Sequence, residues 1–297
     1  MYNACKLLND QNLHFCSLFV LQPEIRMFRL YTRLNTRDKG ALDTMNILNV
    51  QKSERKPRAF SQYSKLSHAS IKWMLFSGYA DDGFSSKYDE VMDLCAILLV
   101  KVYKDKTALP VIMEMIFNRY KKELLMYDLV WAFFECRDID CLRMVASRLC
   151  SPYWKDVELS RKLLRFAPCI GENRDTDGIK QYYSFLGWFE ENRTFLYYTG
   201  ESFQQTSKPM FYNISHQARY LCKPVSASDG KILPPLTEYE KRLLDNFNGL
   251  EESIRIKLSS CSHRMYRQNP YKWALWLHYP VTEQLRTARL MEGEFYA

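Results

Sequence analysis

The sequence predicts an all-α, multi-helical fold, and three observations carry that expectation. Gly and Pro number only 10 and 11 in 297 residues, which is sparse punctuation for a chain of many short strands. Apolar residues recur at spacings of three and four through most of the chain, placing them on single helical faces. Several of these patterns open on N-cap chemistry or on Pro. Apolar (47%) and charged (26%) contents are those of an ordinary globular protein. The length suffices for a sizeable core, in one large domain or two moderate ones.

The organisation reads as a basic N-terminal segment (1–66), a regular helical region (67–168) and an aromatic-rich C-terminal region (169–297), packed as one continuous unit. Residues 1–66 hold 11 Lys and Arg against 5 Asp and Glu, so +6 of the net +8 falls in under a quarter of the chain. One helix is expected over Tyr2 to Leu21. A second amphipathic pattern follows, with Ile25, Phe28, Leu30, Tyr31 and Leu34 on one side and Arg26, Arg29, Arg33 and Arg37 on another. Lys52 to Arg58 reads as an exposed basic linker. A localised basic face of this kind suits an anionic partner; it equally suits a solvated face.

Helices are expected over residues 66–76, 87–103, 108–121, 126–136, 139–149 and 156–166. Ser85 and Ser86 precede Asp89 and Glu90, a cap followed by an acidic first turn. Pro110 sits near a helix start, where its missing N–H costs little. Asp93-Leu94 and Asp128-Leu129 begin matching apolar segments 35 residues apart, and the helices that follow them match at an offset of 33. Two helices per unit at such a period is the pattern of an α-solenoid. Residues 87–166 resemble HEAT-like and armadillo-like repeats: apolar helix, short Asp-containing turn, second apolar helix. The resemblance implies stacked antiparallel helices and no particular activity.

The C-terminal region begins with a polar connector, residues 171–180. The stretch Gln181 to Tyr212 then carries eleven aromatic residues in 32, against 14% for the whole chain. Tyr182, Phe185, Trp188 and Phe189 share a helical face; Thr194 to Pro209 reads as a polar loop studded with rings. Two readings stay open: the centre where helical layers meet, or a pinned loop that forms a site. Within it Arg193, Tyr197, Tyr198, Glu201, Gln204 and Gln205 offer donors, acceptors and ring faces for a ligand. Beyond, Asp229-Gly230 marks a turn, Thr237 caps a helix ending near Gly249, and helices follow over 251–268, from Pro270 and over 282–290. No strand is expected.

No catalytic residue, cofactor or metal site is predicted. Gly-rich phosphate loops, G-x-S-x-G, H-E-x-x-H and C-x-x-C are absent. Asn173-x-Asp175-x-Asp177-Gly178 begins like a calcium loop, but its twelfth position is Ser184 rather than Glu, so a polar turn leading into a helix is expected. Cys136 and Cys141 straddle a turn and lack a second ligand pair. Nine cysteines at irregular spacing suit a reducing, cytoplasmic setting. The N-terminus has no secretory pattern, and the longest apolar run, Leu94 to Val100, is too short for a membrane span.

The function expected is that of a non-enzymatic intracellular scaffold holding a protein or peptide partner. A second expectation is nucleic-acid binding through Arg26, Arg29, Arg33, Lys52, Arg55, Lys56 and Arg58. A third, an enzyme without a recognisable motif, would need a cleft lined by His and carboxylate together. Apolar surface beyond the core tends to become interface, so a homodimer is among the expected states.

Overall fold

Ser85 shows how these helices begin. Its hydroxyl accepts the Tyr88 N–H at 3.3 Å and so satisfies a backbone donor that no earlier carbonyl could reach. In the computed structural model, which describes residues 6–54, 67–171 and 177–293, such helices make up 67% of the chain. The N-terminal ones are α1 (Phe15–Val20), α2 (Gln22–Met27) and α3 (Thr36–Glu54). The middle of the chain forms α4 (His68–Gly78), α5 (Ser86–Ile97), α6 (Leu109–Lys121), α7 (Tyr127–Phe134), α8 (Cys141–Ser147) and α9 (Trp154–Leu163). Then come α10 (Gly178–Asn192), strands β1 (Leu196–Tyr198) and β2 (Tyr212–Ile214), and a short α11 (His216–Tyr220). Helices α12 (Glu238–Asn248), α13 (Glu252–Gln268), α14 (Pro270–Leu277) and α15 (Val281–Gly293) complete the order.

Pro110 lies in the first turn of α6, and Thr237 forms a full capping box with Glu240 at the start of α12. Asp177 accepts the Ile179 N–H at 2.9 Å and opens α10. Residues 172–176, and with them most of the calcium-like motif, lie outside the described residues. The helix expected through Tyr103 runs as α-helix to Ile97 and then as a π turn over Leu98–Val102, left through Lys104 at φ 55°.

Beyond the helix expected over Tyr2 to Leu21, which is interrupted at residues 9–14 before α1 begins at Phe15, two expectations differ from the structure. The basic N-terminal helix is broken: α2 ends at Met27, Arg29 is left-handed at φ 53°, and Leu30–Arg33 form a 3-10 turn. The break lets Leu30 and Leu34 both reach the core. Asn9 meets the freed backbone, accepting the Asn35 N–H at 2.7 Å and donating to the Arg33 carbonyl at 3.0 Å. The second difference is the hairpin. β1 and β2 pair antiparallel, Leu196 with Ile214 and Tyr198 with Tyr212. Leu196 and Tyr198 face inward while Tyr197 is half-exposed, the alternation of a two-sided strand. Three-residue strands leave too short an alternating pattern to stand out in sequence.

The main core runs from Leu8 to Tyr212. In it α4 packs against α1, α3 and α5, α5 against α7, α6 against α7 and α9, and α10 against α8. A second core joins Tyr220, Leu244, Phe247, Leu258 and Trp276, with α13 packed against α11, α14 and α15. Phe195, Ala218 and Val225 form a small cluster of their own. Most rings of the aromatic stretch enter the main core; Phe211 stacks on Phe134 with centroids 4.1 Å apart, while Tyr183 stays 68% exposed. Among the described residues no helix is long and apolar enough to cross a membrane.

Candidate binding site

Helix α9 organises one of the cavities among the described residues. Its start is fixed by Ser151, whose hydroxyl accepts the Tyr153 N–H at 3.2 Å and donates to Asp156 at 2.8 Å. Val157, Leu159, Ser160 and Leu163 face the core, and the Ser160 hydroxyl donates to the Val145 carbonyl at 3.0 Å. That anchoring turns Trp154, Glu158 and Arg161, spaced by four and three residues, along one helical face, with Arg165 four residues on in the turn past the helix end. Together with Lys162 they form one wall of a cavity of about 280 Å³ whose other wall is Phe203, Ser207 and Lys208.

The second wall is held by its own hydrogen bonds. The Thr199 N–H donates to the Phe211 carbonyl at 3.0 Å, and Glu201 accepts the Met210 N–H at 2.8 Å. Gln204 donates to Asp128, tying the loop to α7. Phe203 packs against Tyr127 and Phe211 at 5.5 and 5.6 Å between centroids. Arg161 is almost fully buried, and its Nε–H donates to Gln181 Oε1 at 2.8 Å; Gln181 in turn donates to the Gly171 carbonyl at 3.0 Å. Gly178 permits this approach of α10, since a Cβ there would collide with the Leu149 carbonyl oxygen. Lys162 pairs with Glu158 at 3.0 Å and donates to the Tyr120 hydroxyl at 2.6 Å, an arrangement that raises the Lys162 pKa against the opposing effect of burial.

The residues singled out in sequence lie at several places. Tyr197 and Tyr198 point to opposite sides of β1. The Tyr197 ring lies against Gly230, while the buried Tyr198 hydroxyl faces Glu135 at 3.5 Å and is held protonated by burial and that carboxylate. Arg193 ends α10, 3.6 Å from Asp140 and 3.8 Å from Glu190. Glu201 and Gln204 brace the loop, and Gln205 is exposed beside them. Of the basic set, Arg26 lies in α2 and contacts Asn46, Arg29 is at the left-handed break, and Arg33 is in the 3-10 turn. All three are exposed, on three successive segments rather than one helical stripe. The Lys52 side chain, Arg55, Lys56 and Arg58 lie outside the described residues.

Cys136 and Cys141 lie together at the α7–α8 turn, with the Tyr212 hydroxyl 3.9 Å from the Cys141 sulfur. The hydrogen bond from Cys141 pulls the Cys136 thiol below its ordinary pKa; burial pushes Cys141 well above it. Sequence reading noted the thiol pair but missed the α9 cavity. Its signal was present in the four-three-four spacing of Trp154, Glu158, Arg161 and Arg165.

Compared with protein-family models, with curated proteins and with solved structures, the chain matches none.

Proposed function

We propose that the chain is a non-enzymatic helical-repeat protein that acts by holding a protein or peptide partner in the cytoplasm. The observation that carries this reading is an exposed apolar strip at the α6–α7 loop and the start of α9. Leu125 is 79% exposed and Tyr153 63%, with Leu124, Tyr127 and Trp154 also open to solvent. Leu124, Leu125, Met126 and Tyr127 line a cavity of about 340 Å³ closed on its other side by Tyr120, Lys155 and Glu158. Large apolar and aromatic side chains around a recess, bordered by charge, are the anatomy of an interaction hot spot.

The repeat architecture draws support from a ladder of polar contacts between residues about one unit apart. Lys72 meets Asp105, Lys101 meets Glu135, Lys106 meets Asp138, Arg148 meets Glu114 and Lys155 meets Glu123. Their separations run from 32 to 34 residues, the interval of the sequence repeat. Contacts between each unit and the next at a constant offset are what stacked repeats make. In this reading 67–168 is the stacked region, flanked by the basic segment 1–66 and the aromatic-rich 169–297.

The test is crosslinking of the intact chain in cells, read by mass spectrometry, beside a Leu125→Glu, Tyr153→Ser double variant. Both positions are exposed, so the variant should keep its melting temperature. Loss of specific partners in the variant supports the reading. An unchanged partner set overturns it.

A further inference from the structure

We infer that the cavity between α9 and the Phe203–Lys208 loop is a binding site for a small phosphorylated ligand with an aromatic ring, of the nucleoside monophosphate class. This goes beyond the apolar strip, with which the cavity shares Trp154 and Glu158.

Charge comes first. Among the described residues the lining carries four cations, Arg161, Lys162, Arg165 and Lys208, against one carboxylate, Glu158, a net of +3. Glu158 pairs with Lys162 at 3.0 Å, so these two charges offset each other and the net positive charge of the lining comes from Arg161, Arg165 and Lys208. Guanidinium groups recognise phosphate with paired N–H donors, and they are less strongly hydrated than ammonium, so burying them costs less. Arg161 fits that use: its exposure is 4%, its Nε–H is fixed on Gln181, and its guanidinium still lines the cavity. Holding one edge of the group on a buried glutamine sets its plane before any ligand arrives, which reduces the entropy lost on binding. Lys208 Nζ meets no acceptor among the described residues and stands on the opposite wall. A dianionic phosphate between the walls would meet cations from both.

The rings come second. Trp154 on α9 and Phe203 on the loop bring aromatic surface to the same cavity as the cations. Phe203 is braced by Tyr127 and Phe211, so its ring does not have to be ordered on binding. Aromatic faces beside a cationic site select ligands that pair a planar ring with phosphate over phosphate alone. A volume of about 280 Å³ lies at the small end of ligand pockets. It suits a mononucleotide better than a dinucleotide cofactor.

The experiment is isothermal titration of the full chain with AMP, GMP and UMP, beside adenosine and inorganic phosphate as probes lacking one half of the ligand. At least one monophosphate should bind about tenfold or more tightly than either half-probe, since a charge-assisted contact or a ring stack is each worth about that factor. Lys208→Ala, at an exposed position that leaves folding intact, and Phe203→Leu should each weaken the monophosphate by about fivefold to tenfold. Arg165→Ala should do the same with an unchanged melting temperature. No heat from any monophosphate up to millimolar concentration would overturn the inference. So would adenosine or inorganic phosphate binding as tightly as the monophosphate, or wild-type affinity in the Lys208→Ala variant.

Discussion

At the scale of single residues, one buried guanidinium shows how this helical chain places charge in its interior. Arg119 holds Asp82 in a two-point contact at 2.7 and 2.8 Å and lies 2.8 Å from Asp93. One cation thus faces two carboxylates. Burial raises the Asp93 pKa, Arg119 only partly offsets it, and Asp128 and Asp82 add repulsion, so the group is pushed up to about 7 from its ordinary 3.8. Between these values the folded chain keeps a proton that the unfolded chain releases, so this group favours folding at low pH and the benefit is lost as pH rises toward 7. Asp93→Asn removes the titration. The melting temperature of the natural chain minus that of Asp93→Asn should therefore fall as pH rises from about 4 to 7.5. A flat difference would mean that Asp93 is ionised throughout. The sequence shows Asp93 only at the head of an apolar segment; its neighbours Arg119 and Asp82 come from other elements, and no local pattern announces them.

At the scale of elements, the helices were legible because their boundaries are decided by nearby residues. The capping box at Thr237 and Glu240 is the clearest case, with Thr237 accepting the Glu240 N–H at 3.2 Å and Glu240 accepting the Thr237 N–H at 2.8 Å. Lys223 adds an ion pair to Glu240 at 2.7 Å, which ties the start of α12 to the turn after α11. Thr237→Ala should cost about 1 kcal/mol, visible as a lower denaturation midpoint and faster amide exchange in the first turn of α12. A loss below about 0.3 kcal/mol would show that the Lys223 pair, not the cap, holds the helix. The elements that were not legible, the broken α2 and the β1–β2 hairpin, depend on distant partners. Asn9 pays for the freed backbone at Arg33 and Asn35, and β1 exists only because β2 lies beside it.

At the scale of the whole molecule, apolar burial divides between the core that ends at Tyr212 and the one that begins at Tyr220. Among the described residues they are joined by the cluster of Phe195, Ala218 and Val225, by backbone hydrogen bonds such as that from the Val225 N–H to the Thr194 carbonyl at 2.9 Å, by the Phe195–His263 ring contact, and by surface pairs such as Arg267 with Glu191 at 3.2 Å. Regions with separate apolar contacts open as separate cooperative units. Trp276 is fully buried in the second core, so Trp276→Ala should remove several kcal/mol there, about 3–5 by analogy with other buried aromatics. Hydrogen exchange should accelerate across α11 to α15 and stay near its natural rate in α4 to α9. Equal acceleration in both would show that the chain opens as one unit.

The α9 cavity lies between these levels of legibility. Trp154, Glu158 and Arg161 sit on one face by spacing alone, with Arg165 four residues on, so half of the wall could be read from the sequence. Phe203 and Lys208 could not be assigned to it, because a hairpin whose strands are three residues long brings them there. The aromatic residues of the Gln181–Tyr212 stretch divide in the same way: the local pattern marks a dense centre, and packing sends Phe211 inward while leaving Phe203 at the cavity. Sequence by itself determined the all-α class and the approximate position of most helices from α4 onward, since helical period and caps act over a few residues. Tertiary structure alone decided which charges share a guanidinium, where α2 breaks, and which cations face which rings. Those arrangements depend on contacts between residues far apart in the chain, whose pairing is set by how the two cores bury their apolar faces.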